Sequence, residues 1–300
     1  MNIIIAINEA YIEPAKTMLF SLGYHHQESF NVYLLYSCIA EDKLQDLVVW
    51  VRNKCHAELV PLFVDPELFA RAPKEKWWTE ETYYRLLAFE LLPESVHRAL
   101  WLDADIVIHG NLDAFYHSDF QDNYAVVCKG CNQELKRNLN LPEAYDYFNA
   151  GVILYNLDAI RSDFSVEYVF NVIEKHKNQL KALDQDILNI MFCNQVIYAN
   201  ETIYNHETFG FSVIPKGEMK VLRNEANIIH FTGPIKPWNP KGANWADGLW
   251  WKYEIARGRW KEYIRYRIFN APVKIYHIGR EAYYMILAQI NKIKRKTGGK

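Results

Sequence analysis

The chain lacks several signals that mark common functional classes. Its 300 residues carry a formal net charge of −2, which argues against a nucleic-acid partner recruited by an overall positive field. No run of about 18 consecutive apolar residues occurs, so no transmembrane helix is predicted. The opening residues, MNIIIAINEAY, have neither a basic region nor a long apolar stretch. They predict a strand rather than a secretory signal.

Cysteine is scarce, and its spacing predicts no disulfide framework. Of the five cysteines, only Cys128 and Cys131 form a CxxC pair. Without a second pair this spacing is weak evidence for zinc, so two reduced thiols at a strand end are the expectation. Reduced thiols in turn predict a cytoplasmic protein.

Two glycine-rich phosphate-binding signatures are also missing. No GxGxxG follows the first predicted strand and no GxxxxGK[ST] occurs in the chain. Neither a dinucleotide-binding protein nor a P-loop kinase is therefore predicted.

Apolar runs of strand length alternate with helical patterns along the chain. The predicted strands are residues 2–8, 30–37, 58–64, 99–108 and 147–155, with a short strand inside 227–238. The predicted helices are residues 15–24, 40–55, 80–92, 164–177 and 184–192, with helical stretches around 250–256 and 280–296. This alternation predicts an α/β protein with a mostly parallel sheet that helices cover on both faces.

Two aspartates one residue apart interrupt the apolar stretch LWLDADIVI. Side chains at i and i+2 of a strand lie on one face, so the carboxylates of Asp103 and Asp105 can converge. Two unneutralised carboxylates would repel each other, and a divalent cation removes that conflict. The other interpretation is a loop in which the carboxylates are satisfied without a metal. An Asp-x-Asp pair is expected by chance in a chain of this length, and a second one occurs at Asp184 and Asp186. The apolar flanks of the first pair favour a metal site.

A second polar cluster follows in the segment NIIHFTGPIKPW. Gly233 permits close backbone approach to a ligand, and Lys236 offers a point charge suited to a phosphate. His230 is either a packed core histidine or a metal ligand. Two carboxylates with one imidazole suit Mn²⁺, whereas a site made only of oxygen ligands would suit Mg²⁺ as well.

Six short motifs together resemble glycosyltransferase family 8, and in particular its bacterial lipooligosaccharide galactosyltransferases. In chain order they are AINEAY, TYYRL, LDADI, FNAGV, LDQDILN and HFTGPIKPW. The resemblance implies a GT-A fold: a single Rossmann-like, mostly parallel mixed sheet flanked by helices, with a helical C-terminal tail. It also implies a nucleotide-sugar-binding catalytic domain over residues 1–250. The composition beyond that point predicts a basic aromatic tail over residues 251–300.

The resemblance further implies which residues contact the sugar-nucleotide donor. These are Ala6, Ile7, Asn8, Tyr11, Arg85, Asp103, Ala104, Asp105, Asn149, Ala150, Gly151, Asp184, Gln185, His230, Gly233 and Lys236. The first four would hold the uridine, with Tyr11 stacking on its base. Asp103, Asp105 and His230 would bind Mn²⁺, and Gly233 and Lys236 would hold the diphosphate.

The residues with implied catalytic roles are Gln185, Asp186, Asp184 and Lys236. Retention of configuration requires either a covalent intermediate or attack from the face that the leaving group occupies. The neutral amide of Gln185 is a poor nucleophile, so front-face attack is the favoured interpretation. Asp186 as the nucleophile is the alternative. Ala182 and Leu183 stand where galactosyltransferases carry larger polar residues, which suggests a different acceptor.

The implied function is that of a retaining hexosyltransferase. It would move galactose or glucose from a UDP-sugar to a bacterial surface glycan, a lipid-linked oligosaccharide or a glycoprotein. An inactive nucleotide-sugar-binding scaffold is one alternative. A sugar-nucleotide pyrophosphorylase is another. It would need a Gly-rich, Arg-containing loop after the first strand, and AINEAY is not such a loop.

The C-terminal segment is strongly basic. From Lys252 onward the chain has thirteen Lys and Arg residues and only three Glu. The segment is either a solvated helical cap or a peripheral membrane contact. The interleaved Trp, Tyr and Ile favour contact with the inner face of the cell membrane.

Overall fold

A computed structural model of the chain describes residues 1–69, 72, 80–208, 217–239 and 245–272. The chain forms two compact units. The first comprises Met1–Glu207 and Leu222–His230, and the second comprises Thr208–Val221 and Phe231–Lys300. The helix predicted over residues 280–296 lies outside the described residues, and the boundary predicted at residue 250 stays a prediction.

Strands and helices alternate as predicted. The strands are β1 (Asn2–Ala6), β2 (Phe30–Tyr36), β3 (Ala57–Phe63), β4 (Arg98–Leu102), β5 (Ile106–Ile108), β6 (Ala125–Lys129), β7 (Phe148–Asn156), β8 (Val196–Ala199), β9 (His206–Glu207) and β10 (Ile228–His230). The α-helices are α1 (Ile12–His25), α2 (Glu41–Cys55), α3 (Ala88–Leu91), α4 (Asp113–Tyr116), α5 (Leu135–Asn138), α6 (Leu157–Asp163), α7 (Val166–His176), α8 (Leu183–Met191), α9 (Glu201–Tyr204), α10 (Glu218–Asn224) and α11 (Asp247–Ala256). Short 3-10 helices span Glu9–Tyr11, Pro66–Phe69 and Glu80–Leu87.

Within the described residues, seven strands form the main sheet, in the order β3-β2-β1-β4-β7-β6-β8. The neighbours run parallel except that β7 is antiparallel to both β4 and β6. Alternate residues of β1 join different cores: Ile3 and Ile5 pack with α1 and α2 on one face, and Ile4 packs on the other. Burial on both faces explains the nearly continuous apolar strands. The α/β class with a mostly parallel mixed sheet is confirmed.

The prediction of one strand over residues 99–108 is wrong. β4 ends at Leu102, and β5 begins at Ile106 in a separate three-stranded sheet, β5-β10-β9. The chain turns between them at residues 103–105, because two carboxylates in the middle of a doubly buried strand would be left without water or partners. β10 pairs antiparallel with β5, and this sets His230 opposite Ile106.

The helix predicted over residues 80–92 has a different form. A 3-10 helix covers Glu80–Leu87, and the α-helical part is only Ala88–Leu91. The stop before Pro93 is as predicted, because the residue before proline is pushed out of the helical region. This segment carries Arg85 into the core, where its side chain is buried.

The described part of the second unit is built around α11, which confirms the helix predicted over residues 250–256. The Tyr266 hydroxyl donates to Asp247 Oδ2 (2.5 Å), and Trp251 Nε1 donates to the Pro237 carbonyl (3.0 Å). Residues 260–272 are also helical. Among the described helices, none has the length and hydropathy needed to cross a bilayer.

Candidate active site

Asp103, Asp105 and His230 come together at the turn between β4 and β5. One potential ligand atom from each lies within 4.8 Å of the other two. The Nε2 atom of His230 is 3.2 Å from Asp105 Oδ1 and 3.9 Å from Asp103 Oδ2. Burial alone would lower the pKa of His230, but the two carboxylates raise it above its ordinary value. Two carboxylates converging on one imidazole fit a divalent cation with mixed oxygen and nitrogen ligands.

The two carboxylate oxygens of Asp103 have different partners. Oδ1 accepts hydrogen bonds from Trp101 Nε1 (2.8 Å) and pairs with Arg85 Nη2 (3.0 Å). Oδ2 is the oxygen that faces His230. The backbone N–H of Asp103 donates to the Gly151 carbonyl (3.0 Å), which extends the β4–β7 pairing by one residue. Asp103 is therefore fixed both by its main chain and by one carboxylate oxygen.

Arg85 is buried and joins two carboxylates. Its Nε is 2.8 Å from Asp184 Oδ2, its Nη2 pairs with Asp103, and its Nη1 donates to the Ala150 carbonyl. The guanidinium carbon lies 4.7 Å from the centre of the Trp101 ring. Burial raises the pKa of Asp184 to about 7 even though Arg85 opposes that rise. In this arrangement Arg85 holds acidic side chains together, and its predicted contact with the donor stays a prediction.

The first turn of α8 is anchored on β7. The Ala150 N–H donates to Gln185 Oε1 (2.9 Å), and Gln185 Nε2 donates to the Tyr147 hydroxyl (3.2 Å). The same hydroxyl donates to Asp186 Oδ1 (2.5 Å). These contacts place Asp184 and Gln185 beside the Asn149-Ala150-Gly151 segment. The contacts that these residues are predicted to make with the donor stay predictions.

Asp186 holds the turn that leads into the first residue of α8, Leu183. Its Oδ2 accepts the backbone N–H groups of Lys181 (2.6 Å) and Ala182 (2.7 Å). Leu183, the next residue, has φ = +41°, a left-handed conformation that is costly for a branched side chain. The Asp186 side chain is 1% exposed. Its carboxylate therefore holds the backbone of Lys181 and Ala182 where the chain enters α8.

The residues predicted to hold uridine lie at the carboxyl end of β1, where α/β sheets bind ligands. Asn8 Oδ1 accepts the backbone N–H of Ala10 (3.1 Å) and caps the Glu9–Tyr11 turn. Tyr11 is 37% exposed, Ala6 is half-buried and Ile7 is buried. Their uridine contacts stay predictions. Ala104, between the two aspartates, is buried in the core next to α1.

Gly233 and Lys236 belong to the second unit. Gly233 has φ = +77°, a conformation that favours glycine. Lys236 Nζ donates to the Phe231 carbonyl (2.8 Å), which folds the side chain back on its own segment. Their contacts with a diphosphate stay predictions.

Two residues of the site are not predicted from the sequence. Asn205 is 1% exposed, and its Oδ1 accepts from His230 Nδ1 (2.9 Å). The hydroxyl of Tyr147 joins Gln185 to Asp186. The position of Tyr147 directly before the FNAGV motif is the one sequence signal for it. Nothing in the segment around Asn205 marks it, because only the pairing of β9 with β10 brings it to His230.

Gly151 lies directly against the imidazole of His230, and this contact provides a test. A Cβ at this position would lie 2.2 Å from His230 Cε1, so Gly151→Ala should displace the imidazole. We expect the variant to bind Mn²⁺ about 10- to 100-fold more weakly, as when other supports of a metal ligand are lost. Electron paramagnetic resonance of free Mn²⁺ measures this directly. Gly248→Ala, where a Cβ meets no atom within 4 Å, is the control, and equal losses in both variants would contradict the prediction.

A mostly parallel α/β sheet with an Asp-x-Asp and histidine cluster beyond its strands defines the class of GT-A glycosyltransferases, which generally use a divalent metal. The family model "Glycosyl transferase family 8" matches residues 2–242. The chain belongs to this family and is a glycosyltransferase.

Similar proteins agree with this assignment. Lipopolysaccharide 1,2-glucosyltransferase of Escherichia coli (strain K12) is 21% identical over 269 residues, covering 87% of this chain and 79% of that protein. Lipopolysaccharide 1,3-galactosyltransferase of Salmonella typhimurium (strain LT2) is 27% identical over 194 residues, covering 62% and 57%. The solved galactosyltransferase LgtC, in complex with donor and acceptor sugar analogs, has a TM-score of 0.75 at 22% identity over 85% of this chain and 96% of that one. This likeness confirms the GT-A fold.

Proposed function

We propose that the chain is a retaining hexosyltransferase that uses UDP-galactose or UDP-glucose and Mn²⁺, with Mg²⁺ as a possible substitute. The proposed acceptor is a bacterial surface glycan, a lipid-linked oligosaccharide or a glycoprotein. The observation that carries the proposal is the convergence of Asp103, Asp105 and His230 beyond the strand ends. The names of the relatives, a glucosyl- and a galactosyltransferase of lipopolysaccharide, support the choice of hexose and of an envelope acceptor.

The proposed chemistry follows from the charges near the cluster. A divalent cation held by the three side chains would neutralise the charge that develops on the departing diphosphate. Lys236 would add a positive charge on the same group. Asp184 and Gln185 would contact the donor sugar, and their side chains are held in place by Arg85 and by the Ala150 N–H.

For retention we propose front-face attack, in which the leaving phosphate takes the proton of the acceptor hydroxyl. Asp186 is the competing nucleophile. Its oxygens accept bonds from Tyr147, Lys181 and Ala182, and its side chain is 1% exposed. An anomeric carbon would need to displace these partners, so the burial supports the front-face route. Isolation of a glycosyl adduct on Asp186 or Gln185 would overturn it.

A panel of UDP- and GDP-sugars tests the donor class. In the presence of Mn²⁺ we expect slow hydrolysis of UDP-galactose or UDP-glucose and none of the GDP-sugars, with the rate abolished by a chelator. Hydrolysis of GDP-sugars alone, or the same rate after chelation, would contradict the proposal.

We further propose that residues 251–300 form a membrane-associating tail on the catalytic domain, residues 1–250, at the inner face of the membrane. On the helix over residues 260–272, Trp260, Ile264 and Ile268 are spaced four apart and are 52%, 48% and 67% exposed. Arg265 and Arg267 lie between them. Exposed apolar groups flanked by cations suit an anionic lipid surface.

Sedimentation with lipid vesicles tests whether the tail binds a membrane. The full chain should sediment with phosphatidylglycerol vesicles at low salt. Replacing Trp260, Ile264 and Ile268 together by serine, or deleting residues 280–300, should leave most of the protein in the supernatant. Substitution of exposed Val49 of α2 by serine is the control. Equal sedimentation of the triple variant, the truncated chain and wild type would contradict the prediction.

A further inference from the structure

A row of hydrogen bonds runs from the β7 backbone to the imidazole of His230. The N–H of Gly151 donates to Asn149 Oδ1 (2.8 Å). Asn205 Nδ2 donates to the same oxygen (3.0 Å). Asn205 Oδ1 then meets His230 Nδ1 at 2.9 Å. Asn205 is 1% and His230 3% exposed, so water does not compete for these groups.

The Gly151 N–H fixes which atom donates and which accepts in each hydrogen bond of the row. A peptide N–H can only donate, so the Asn149 atom that faces Gly151 must be the oxygen. The Asn205 atom that faces this oxygen must be the amide nitrogen, which turns the Asn205 oxygen toward His230. A carbonyl oxygen can only accept, so His230 Nδ1 must carry a proton. The neutral imidazole then has its lone pair on Nε2, the atom that faces Asp103 and Asp105.

The imidazole is also fixed in position. β10 pairs His230 with Ile106, and the absence of a Cβ at Gly151 makes room for the ring. Asn205 is itself held, because its backbone N–H donates to the Glu201 carbonyl (3.0 Å) at the end of α9. The Asn205 hydrogen bond then determines which edge of the ring faces Asp103 and Asp105.

We propose that Asn205 is a positioning residue: through its amide oxygen it selects the Nδ1–H tautomer of His230 and aims Nε2 at the metal position beside Asp103 and Asp105. The inference rests on the proposed metal role of this cluster. It adds that the peptide group of Gly151, through Asn149, determines which imidazole nitrogen is a ligand. Partners of this kind commonly tune the affinity of a metal site.

Two measurements on the complete chain test the proposal. In metal-free protein labelled with ¹⁵N-histidine, the Nδ1-bound proton of His230, assigned by its loss in His230→Gln, should exchange slowly with water. In Asn205→Leu, which keeps the side-chain size but offers no acceptor, this proton should exchange at least about tenfold faster, since its hydrogen bond is gone. The Kd for Mn²⁺, measured by electron paramagnetic resonance, should rise about 10- to 100-fold.

The control is Asn270→Leu. Asn270 is another fully buried asparagine, but its amide donates to the Tyr266 carbonyl in the second unit. It should change neither measurement. An unchanged Kd for Mn²⁺ in Asn205→Leu, or an equal rise in both variants, would overturn the proposal.

A second variant decides the matter if Asn205→Leu does not fold. Asn149→Ala removes the oxygen that orients the Asn205 amide. The Nδ1 proton of His230 should then exchange faster and the Kd for Mn²⁺ should rise, both by less than in Asn205→Leu. If neither appears, the proposal is wrong. Failure of the wild type to bind Mn²⁺ would refute the proposed metal site alone, because proton exchange at Nδ1 tests the hydrogen-bond row without any metal.

Discussion

Replacing Asp105 with alanine should lower kcat/KM for the UDP-hexose at least about a thousandfold, equivalent to roughly 4 kcal/mol of transition-state stabilisation. The loss is expected because Asp105 Oδ1 lies 3.2 Å from His230 Nε2, closer than the 3.9 Å of Asp103 Oδ2. Initial rates of donor hydrolysis and of transfer at saturating Mn²⁺ measure it.

The control for Asp105→Ala is Asp46→Ala. Asp46 lies on the exposed face of α2, so its loss changes the net charge equally without touching the site. Its activity should stay within about twofold of wild type, as for most surface substitutions. Loss of activity in both variants, or in neither, would argue against a specific metal role for Asp105.

Replacing Arg85 with methionine should lower the free energy of unfolding by about 3–5 kcal/mol, because two carboxylates would lose their buried cation. Asp184 is 3% exposed and sits 2.8 Å from Arg85 Nε. Urea unfolding at constant pH measures the change. Arg52→Met is the matched control: Arg52 pairs with Glu58 at 2.9 Å, but its side chain is 61% exposed, so its loss should cost less than about 1 kcal/mol.

Adding Asp184→Asn to Arg85→Met should restore part of the lost stability. The second change removes a carboxylate that no longer has its partner. If the double variant is as unstable as the sum of the single ones, Arg85 and Asp184 do not interact energetically, and the cation–carboxylate explanation fails.

The loss of stability in Arg85→Met should depend on pH, because Arg85 is paired with Asp184. Asp184 has an ordinary pKa of 3.8, and burial raises it to about 7 in the folded chain. The folded state therefore binds this proton more tightly than the unfolded state, and the contribution of Asp184 to stability falls as the pH rises between these values. Without Arg85 the pKa rises further, so the deficit of Arg85→Met should be larger at pH 8 than at pH 5. A deficit that grows toward pH 5 would contradict this explanation.

Much of the architecture could be predicted from the sequence because it depends on local pattern. The apolar run of β1 and the amphipathic α2 and α7 appear where their residue periodicity placed them. The break at residues 103–105 was missed because an apolar stretch on both sides of two aspartates looks the same whether it forms one strand or two. Only the pairing of β5 with β10, some 120 residues away in sequence, separates them.

The candidate site was predictable where a short motif carried it and not where distant segments supplied it. Asp103, Asp105 and His230 could be named from their neighbours and from the resemblance. Asn205 could not, because its role depends on β9 lying beside β10. The left-handed conformation of Leu183 could not be predicted either, since no glycine or asparagine stands there to signal a positive φ.

Titration of the protein with Mn²⁺ in the presence of UDP, followed by electron paramagnetic resonance, tests most directly whether Asp103, Asp105 and His230 form a metal site that holds a nucleoside diphosphate. Wild type should bind one Mn²⁺ per chain, more tightly with UDP than without, and Asp105→Ala and His230→Ala should each lose this binding. Unchanged Mn²⁺ binding in both variants would contradict the assignment.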